Sequence, residues 1–507
     1  MMIKKIYSIP LYPFFVAIYP ILAVLASNLG QVKFVAGIRP LFLSVAAASL
    51  LFLLLRLLYR NWHRAAFVTA GLVLLFYMYS HVYDLIFAKW KVNNFAAGML
   101  AIWLLLAILV FLAAALPKVK FEAAALALNV ISFGLLIYPT IQIIQVSFDA
   151  TPRETKSALV PLQNLKAPSG QPLPDIYYIM PEDYGRADLL QKSFNIDVSQ
   201  FMQDLKDMGF YVAECSQSNY VTSELSLGSS LNMDYLQDLD SSFTPDNIDQ
   251  GPVWNAIRYN AAVLSLKQAG YKTVAFATGF AWSELDNADV YLSPSPLWSG
   301  LTNFEDLLLR TTPIRHLEDV GALGLDEIDG QRYRERTMLI FNSMEELAHM
   351  PGPKFVFVHI ISPHEPFVFG PDGSPIDPLP FMNQDRLYTF DKYSLGYQDQ
   401  IPFLNQMLEQ SIKILIAESS TPPVIVLQTD TSPLFMQGSD RFKILNAYYM
   451  PGHTDQLYPS ISPVNTFRVI LNAYLGGNFP LLPDISYSSP IPHIYDFTQV
   501  QNPCTSQ

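Results

Sequence analysis

The first third of this chain is dominated by about five apolar stretches of roughly 20 residues, each long enough to cross a bilayer core of about 30 Å. They centre on Pro13 to Leu29, Leu41 to Leu58, Ala66 to Ile86, Ala96 to Leu116 and Ala123 to Ile144. Inside hydrocarbon such segments satisfy their backbone polar groups as helices, so a helical bundle is the first thing the sequence dictates. Composition agrees: 51% hydrophobic and 15% charged residues with a mean hydropathy of +0.23 are too apolar for a wholly soluble protein. Lys4 and Lys5 ahead of the first stretch also fit a cleavable signal peptide, but the further spans favour a multi-pass anchor.

Basic residues set the orientation. Lys4, Lys5, Arg56, Arg60, Arg64, Lys118 and Lys120 fall on one side, against Lys33, Arg39, Lys89 and Lys91 on the other, which favours a cytoplasmic N-terminus. An odd number of crossings then places everything after about residue 146 outside the cytoplasm of an inner or plasma membrane protein; one span fewer would reverse this. The clearest ionisable residues within the spans, His81 and Asp84, lie near a span end, so the anchor reads as an anchor rather than a transporter. Residues 1–146 are thus expected to be the anchor, and 147–170 a linker, polar and without periodicity from Asp149 to Ala167. Residues 171–507 are expected to form one large globular domain.

A net charge of −12 and the absence of a Lys/Arg run argue against nucleic acid as a partner. The two cysteines, Cys215 and Cys504, exclude a disulfide framework and a cysteine zinc cluster. Cys215 reads as a packed thiol at a strand end, and outside the cytoplasm the two could also pair.

The globular part alternates strand-like and helix-like segments. Apolar, non-alternating runs at Pro174 to Tyr184, which ends in two adjacent carboxylates, and at Lys272 to Ala277, Pro353 to Ile361 and Pro423 to Gln428 read as buried strands. Helical spacing appears at Phe201 to Met208, Val263 to Ala269 and Phe403 to Ala417. The fold class expected is a doubly wound α/β domain, its mainly parallel sheet covered by helices on both faces.

In such sheets ligands sit just beyond the carboxyl ends of the strands. Those ends supply Glu182 and Asp183, then His359 and His364, then Asp430. A strand followed by a polar turn accounts for the first pair equally well. Between them runs the hydroxyl-rich segment Ser218 to Asn232, leading from loop into helix. A hydroxyl at a helix N-terminus is placed for attack on phosphorus or sulfur, because the free amides favour the anion, and a divalent cation held by carboxylates and histidine would lower its pKa. The plain alternative for Ser223 is an N-cap.

Four blocks carry a resemblance: Pro174 to Leu190, Ser218 to Leu236, Ser362 to Gly373 and Leu457 to Arg468. Together they resemble the sulfatase-like branch of the alkaline phosphatase superfamily, and within it the multi-pass bacterial envelope proteins. The resemblance implies a metal-dependent hydrolase or phosphoryl-group transferase acting on phosphate or sulfate esters; a lipid-linked or glycan ester as substrate would explain why the domain stays tethered to the bilayer. It places the first metal carboxylate on Glu182, with Asp183 where glycine is usual, and the nucleophile on Ser223, with Thr222 as a register-shifted alternative. His364, in His-x-Pro-Phe, matches a histidine that contacts substrate or a second metal, and His359 lies one strand end earlier.

The departure comes at the last motif. Relatives end that strand in Gly-Asp-His-Gly, whereas this chain has Thr429-Asp430-Thr431-Ser432, so Asp430 survives and the histidine is replaced by Thr431. The implied ligand set shrinks to Glu182, Ser223 and Asp430, and oxygen ligands alone suit magnesium or calcium better than manganese or zinc. His453, in the loop after Met450-Pro-Gly452, reads either as a solvated loop residue or as the missing ligand. Formylglycine chemistry is set aside, because Cys215-Ser-Gln-Ser-Asn219 lacks the Pro and Arg that it requires. Two readings stand: a metal-dependent ester hydrolase or transferase, and a catalytically impaired scaffold or binding protein of the envelope holding no metal.

Overall fold

The computed structural model describes residues 9–28, 32, 34–90, 95–116, 121–149, 165–166, 172–294, 302–316, 325–381 and 388–506. Most of the expected linker lies outside them, as do Lys4, Lys5, Lys33, Lys91, Lys118 and Lys120. The chain forms two compact units, one comprising residues 1–153 with 300–328 and the other 154–299 with 329–507. The globular sequence is therefore interrupted by a segment that belongs with the anchor.

The anchor unit contains the helices α1 (Tyr12–Ser27), α2 (Ile38–Tyr59), α3 (Trp62–Trp90), α4 (Phe95–Ala115) and α5 (Phe121–Asp149). Among the described residues, four apolar helical stretches are long enough to cross a membrane: Phe34–Tyr59, Trp62–Ile86, Ala97–Ala115 and Phe121–Gln145. The first expected span is shorter. At 16 residues α1 extends about 24 Å, because Pro13 sits in its first turn and it stops before Asn28. Even so it runs parallel to α5. Asn129 accepts from Leu11 N and Tyr12 N at 2.9 and 2.8 Å near the start of both helices, and Ile21 and Leu25 pack with Ile143 near their ends. Parallel first and last helices are what five alternating elements require.

The inserted segment opens with a capping box, Thr302 and Glu305 satisfying each other's backbone amides at the start of helix Asn303–Arg310. Phe304 and Leu308 bury against Ile21, Leu25 and Ile143, and Glu305 forms an ion pair with Arg39 of α2.

The second unit is built on a seven-stranded sheet with β1 (Ile176–Pro181), β2 (Tyr211–Val212), β3 (Lys272–Phe276), β4 (Val290–Leu292), β5 (Lys354–Ile360), β6 (Val424–Gln428) and β7 (Asn446–Tyr449) in the order β2-β7-β6-β1-β5-β3-β4. The five strands from β6 to β4 pair in parallel; β7 and β2 add an antiparallel edge. Alternate residues of each central strand enter different cores. Tyr178, Met180, Phe355, Phe357 and Val426 join one, covered by the helices Ser223–Asn232 and Thr466–Leu475; Tyr177, Ile179, Val356, Val358 and Leu427 join the other, covered by the helix Phe390–Glu418. This is the expected doubly wound, mainly parallel α/β architecture, with helices on both faces of the sheet.

Cys215 is not a free packed thiol. It is disulfide-bonded to Cys504 across 289 residues, with Cα atoms 5.7 Å apart, and Asn502 Nδ2 donates to the Cys215 carbonyl at 3.0 Å. Such bridges persist in oxidising compartments, in keeping with an extracytoplasmic second unit.

Candidate metal centre

The centre forms where the three middle strands end side by side. Met180 of β1 is paired with His359 of β5 and Ile179 with Leu427 of β6, so the residues after β1 and β6 and the end of β5 meet at one edge. Glu182 follows β1 directly, its amide held by the Ile360 carbonyl at 2.8 Å. Asp183 then adopts a left-handed backbone, φ 57°, and the turn is pinned by Tyr397, whose hydroxyl donates to the Asp183 carbonyl at 2.9 Å.

Ser223 is the first residue of the helix Ser223–Asn232. Thr222 takes the N-cap position, which leaves the Ser223 side chain for other work. Its Oγ donates to Glu182 Oε1 at 2.6 Å and lies 3.4 Å from Thr431 Oγ1. On the other side of Glu182, Oε2 touches His359 Nε2. Asp430, after β6, accepts from the Thr431 amide at 2.9 Å through Oδ1, while Oδ2 is buried without a partner among the described residues. One ligand atom from each of Glu182, His359 and Asp430 falls within 4.8 Å of the others, and all three residues are buried.

A second group, Asp183, His364 and Glu365, converges within the same 4.8 Å limit. His364 Nδ1 donates to the Glu365 carbonyl at 2.6 Å, and its ring lies 6.0 Å from that of Phe280. Thr431 Oγ1 donates to Asp183 Oδ1 at 2.8 Å, and Arg441 Nη1 is 3.6 Å from the same oxygen. Trp282 packs against His359 at 5.4 Å between rings.

Burial and crowding of like charge shape the titration. Burial, then the carboxylates of Glu182 and Asp183, pushes Asp430 up to about 8. Burial also raises Glu182, reinforced by Asp183. Burial lowers His359 to about 4, leaving a neutral imidazole at neutral pH. In His364 burial works downward, but Glu365, Asp183 and Glu182 outweigh it and raise the group to about 9. Carboxylates held protonated against their ordinary range, an unpartnered carboxylate oxygen and a neutral imidazole facing one point make up a donor set suited to a divalent cation.

The sequence reading differs from this geometry in the nitrogen donor. The implied set of Glu182, Ser223 and Asp430 is joined by His359, one of the strand-end candidates, which the register of β5 beside β1 brings against Glu182. His453 joins neither group; its ring packs on Tyr474 at 4.7 Å. Thr222 contributes its cap position, and Thr431 turns to Asp183. Glu365, Arg441 and Trp282 were not singled out; adjacency to His364 was the only signal for the first.

No family model matches this sequence, and no curated protein matches it. Among solved structures, it is similar to the C-terminal periplasmic domain of EptC from Escherichia coli in complex with zinc, at 14% identity over 68% of this chain and 96% of that one, with a TM-score of 0.43. It is also similar to the integral membrane lipooligosaccharide phosphoethanolamine transferase A (EptA) from Neisseria meningitidis, at 12% identity over 92% and 95% of the two chains, TM-score 0.38. A third similarity is to the phosphonate monoester hydrolase of Agrobacterium radiobacter, at 12% identity over 62% and 80%, TM-score 0.39.

Proposed function

We propose that this chain is a membrane-anchored, metal-dependent hydrolase or transferase of phosphate or sulfate esters, in which Ser223 is the nucleophile and Glu182, His359 and Asp430 hold the cation. The observation that carries this reading is Ser223 Oγ, at a helix N-terminus, bonded at 2.6 Å to a carboxylate of the buried Glu182–His359–Asp430 group. With one nitrogen and two carboxylate donors, the set suits zinc or manganese better than an all-oxygen set would. A bound divalent cation would supply charge neutralisation for the ester oxygens and a lowered pKa for the serine hydroxyl.

The chain's own groups then divide the work. Glu182 Oε1 accepts the Ser223 proton and aims the oxygen lone pair into the site. The amides at the start of the helix Ser223–Asn232 favour the anion that develops there. His364, kept protonated by its carboxylate neighbours, is the group to hold or protonate the departing oxygen. Release of the Ser223 ester to water gives hydrolysis, and to another hydroxyl gives transfer. A site tethered to the bilayer suits a lipid-linked or glycan ester.

One observation favours the alternative of a catalytically impaired scaffold: Thr431 supplies no ligand and directs its hydroxyl at Asp183. Elemental analysis of the purified protein after incubation with zinc, manganese, magnesium or calcium separates the two. Near-stoichiometric metal that disappears in Glu182→Ala/Asp430→Ala, together with turnover of nitrophenyl phosphate, phosphodiester or sulfate esters, supports the enzyme; no metal under any condition leaves the scaffold.

A further inference from the structure

One arginine reaches three of the segments that build the metal centre. Arg441 lies in the short helical turn Gly438–Phe442, and its side chain is 15% exposed. Nε donates to the Val221 carbonyl at 3.2 Å, two residues before Ser223. Nη1 donates to the Ser432 carbonyl, two residues after Asp430, and lies 3.6 Å from Asp183 Oδ1, next to Glu182. Among the described residues neither carbonyl accepts from another group, so the guanidinium is the cross-link between these two loops. Carbonyls outside helix and strand still need a donor, and a planar fork with donors on two edges serves both at once.

The turn that carries Arg441 is held by bonds that do not involve its side chain. Ser432 Oγ donates to the Asp440 carbonyl at 2.9 Å, the Ser218 amide to the Phe442 carbonyl at 2.8 Å and the Arg186 amide to the Lys443 carbonyl at 3.1 Å. Shortening the side chain therefore leaves the backbone at 441 in place, and the guanidinium can be tested apart from the fold. The metal-binding side also has ties of its own. The amides of Glu182 and Thr429 donate to the carbonyls of Ile360 and Leu445 at 2.8 and 2.9 Å, whereas Val221 is reached from across the site by Arg441. The charge matters as well: Asp183, 3% exposed, adds a carboxyl group beside Glu182, and Arg441 sets a fixed positive charge against it.

We propose that Arg441 is a positioning residue whose guanidinium clamps the loop leading to Ser223 onto the loop that follows Asp430, fixing where the serine oxygen stands relative to the Glu182–His359–Asp430 group. The proposal rests on Ser223 being the nucleophile. Arg441 acts through that loop and its contact with Asp183, and it is not itself a metal ligand.

The test uses the full-length protein in detergent, loaded with zinc, and compares Arg441→Lys and Arg441→Ala with the parent on the nitrophenyl ester that the parent turns over. In both variants kcat should fall about 100-fold, the scale of a displaced reacting group, while KM and zinc affinity stay within about threefold. Lysine keeps the charge but offers one compact ammonium, so it should not restore the parent's kcat. Guanidinium at tens of millimolar should raise kcat of Arg441→Ala at least about tenfold, and urea should not. A loss of zinc affinity matching the loss of kcat, a parent-like kcat in either variant, or equal effects of guanidinium and urea overturn the proposal. If the parent turns over no ester, the assignment of Ser223 fails by itself, and hydrogen exchange at residues 220–224 decides the clamp. Faster exchange there in Arg441→Ala, with parent-like exchange in the central strands, supports it; unchanged exchange overturns it.

Discussion

Asp430 is predicted to destabilise the metal-free protein at neutral pH and to stabilise the loaded one, and the sign reversal is measurable. Burial and the neighbouring carboxylates raise its pKa from 3.8 to about 8 in the folded chain. Between those values folding takes up a proton, so stability falls as pH rises from about 4 towards 8 and is fully present only below the unfolded value. At pH 7 the interval above the unfolded pKa is about 3 units, which at 1.36 kcal/mol per unit is roughly 4 kcal/mol, an upper figure because Glu182 shares the charge. Asp430→Asn keeps the shape and removes the titration. In chelator at pH 7 the variant should therefore melt several degrees above the parent, and at pH 4 the two should converge. With zinc or manganese added, the parent should gain and the variant should not, because only the parent retains the carboxylate ligand. Thermal unfolding at pH 4, 5.5 and 7, with and without metal, reads all three comparisons. A variant less stable than the parent at pH 7 in chelator would refute the argument, since it would mean that the Asp430 carboxylate is satisfied without a cation.

Other consequences are simpler. His359→Ala should lower affinity for zinc at least about 100-fold by equilibrium dialysis, more than the 10- to 100-fold typical of losing an outer-shell partner; unchanged affinity would return His359 to the core. Ser223→Ala should abolish ester turnover while retaining metal within a few-fold, and retained turnover would move the nucleophile elsewhere. Asp188 is held down to about 2, because its hydrogen bond to Arg186 and the charges of Arg186 and Lys443 outweigh the opposing effect of burial. Its contribution is present above about pH 4 and lost as pH falls through 2; at half exposure it amounts to under about 1 kcal/mol. Asp188→Asn should thus cost a little stability at pH 5 and nothing at pH 2, by chemical denaturation.

The sequence disclosed those parts of the fold that depend on local pattern. Apolar runs marked the central strands to within a residue or two, and strand ends pointed to Glu182 and Asp430. What it hid depends on pairing. His359 is legible as a strand-end candidate, but its place beside Glu182 follows only when β5 is laid beside β1 in the register that sets it opposite Met180. The Cys215–Cys504 bridge closes over 289 residues, a distance at which spacing carries no information. The segment 300–328 falls inside the stretch expected to be the globular domain; only the docking of Phe304 and Leu308 on α1 and α5 assigns it to the anchor unit.

The two departures at the strand ends, Asp183 in place of glycine and Thr431 in place of histidine, are joined by one hydrogen bond of 2.8 Å. They are coupled through that bond, and on the proposed reading His359 would supply the nitrogen that Thr431 does not. Restoring histidine alone, Thr431→His, would set an imidazole against the Asp183 carboxylate, which would hold it as a cation and away from the metal. Removing the carboxylate as well, Asp183→Gly/Thr431→His, frees the ring, and glycine fits the left-handed backbone at 183 without strain. The single variant should gain less than about threefold in zinc affinity over the parent, and the double variant more than about tenfold. With Asp183→Gly alone leaving the affinity unchanged, that difference is a coupling of at least about 0.7 kcal/mol, the scale expected of side chains in direct contact. If Thr431→His alone gave the full gain, the two positions would be independent, and the site would be a decayed one rather than one rebuilt around His359.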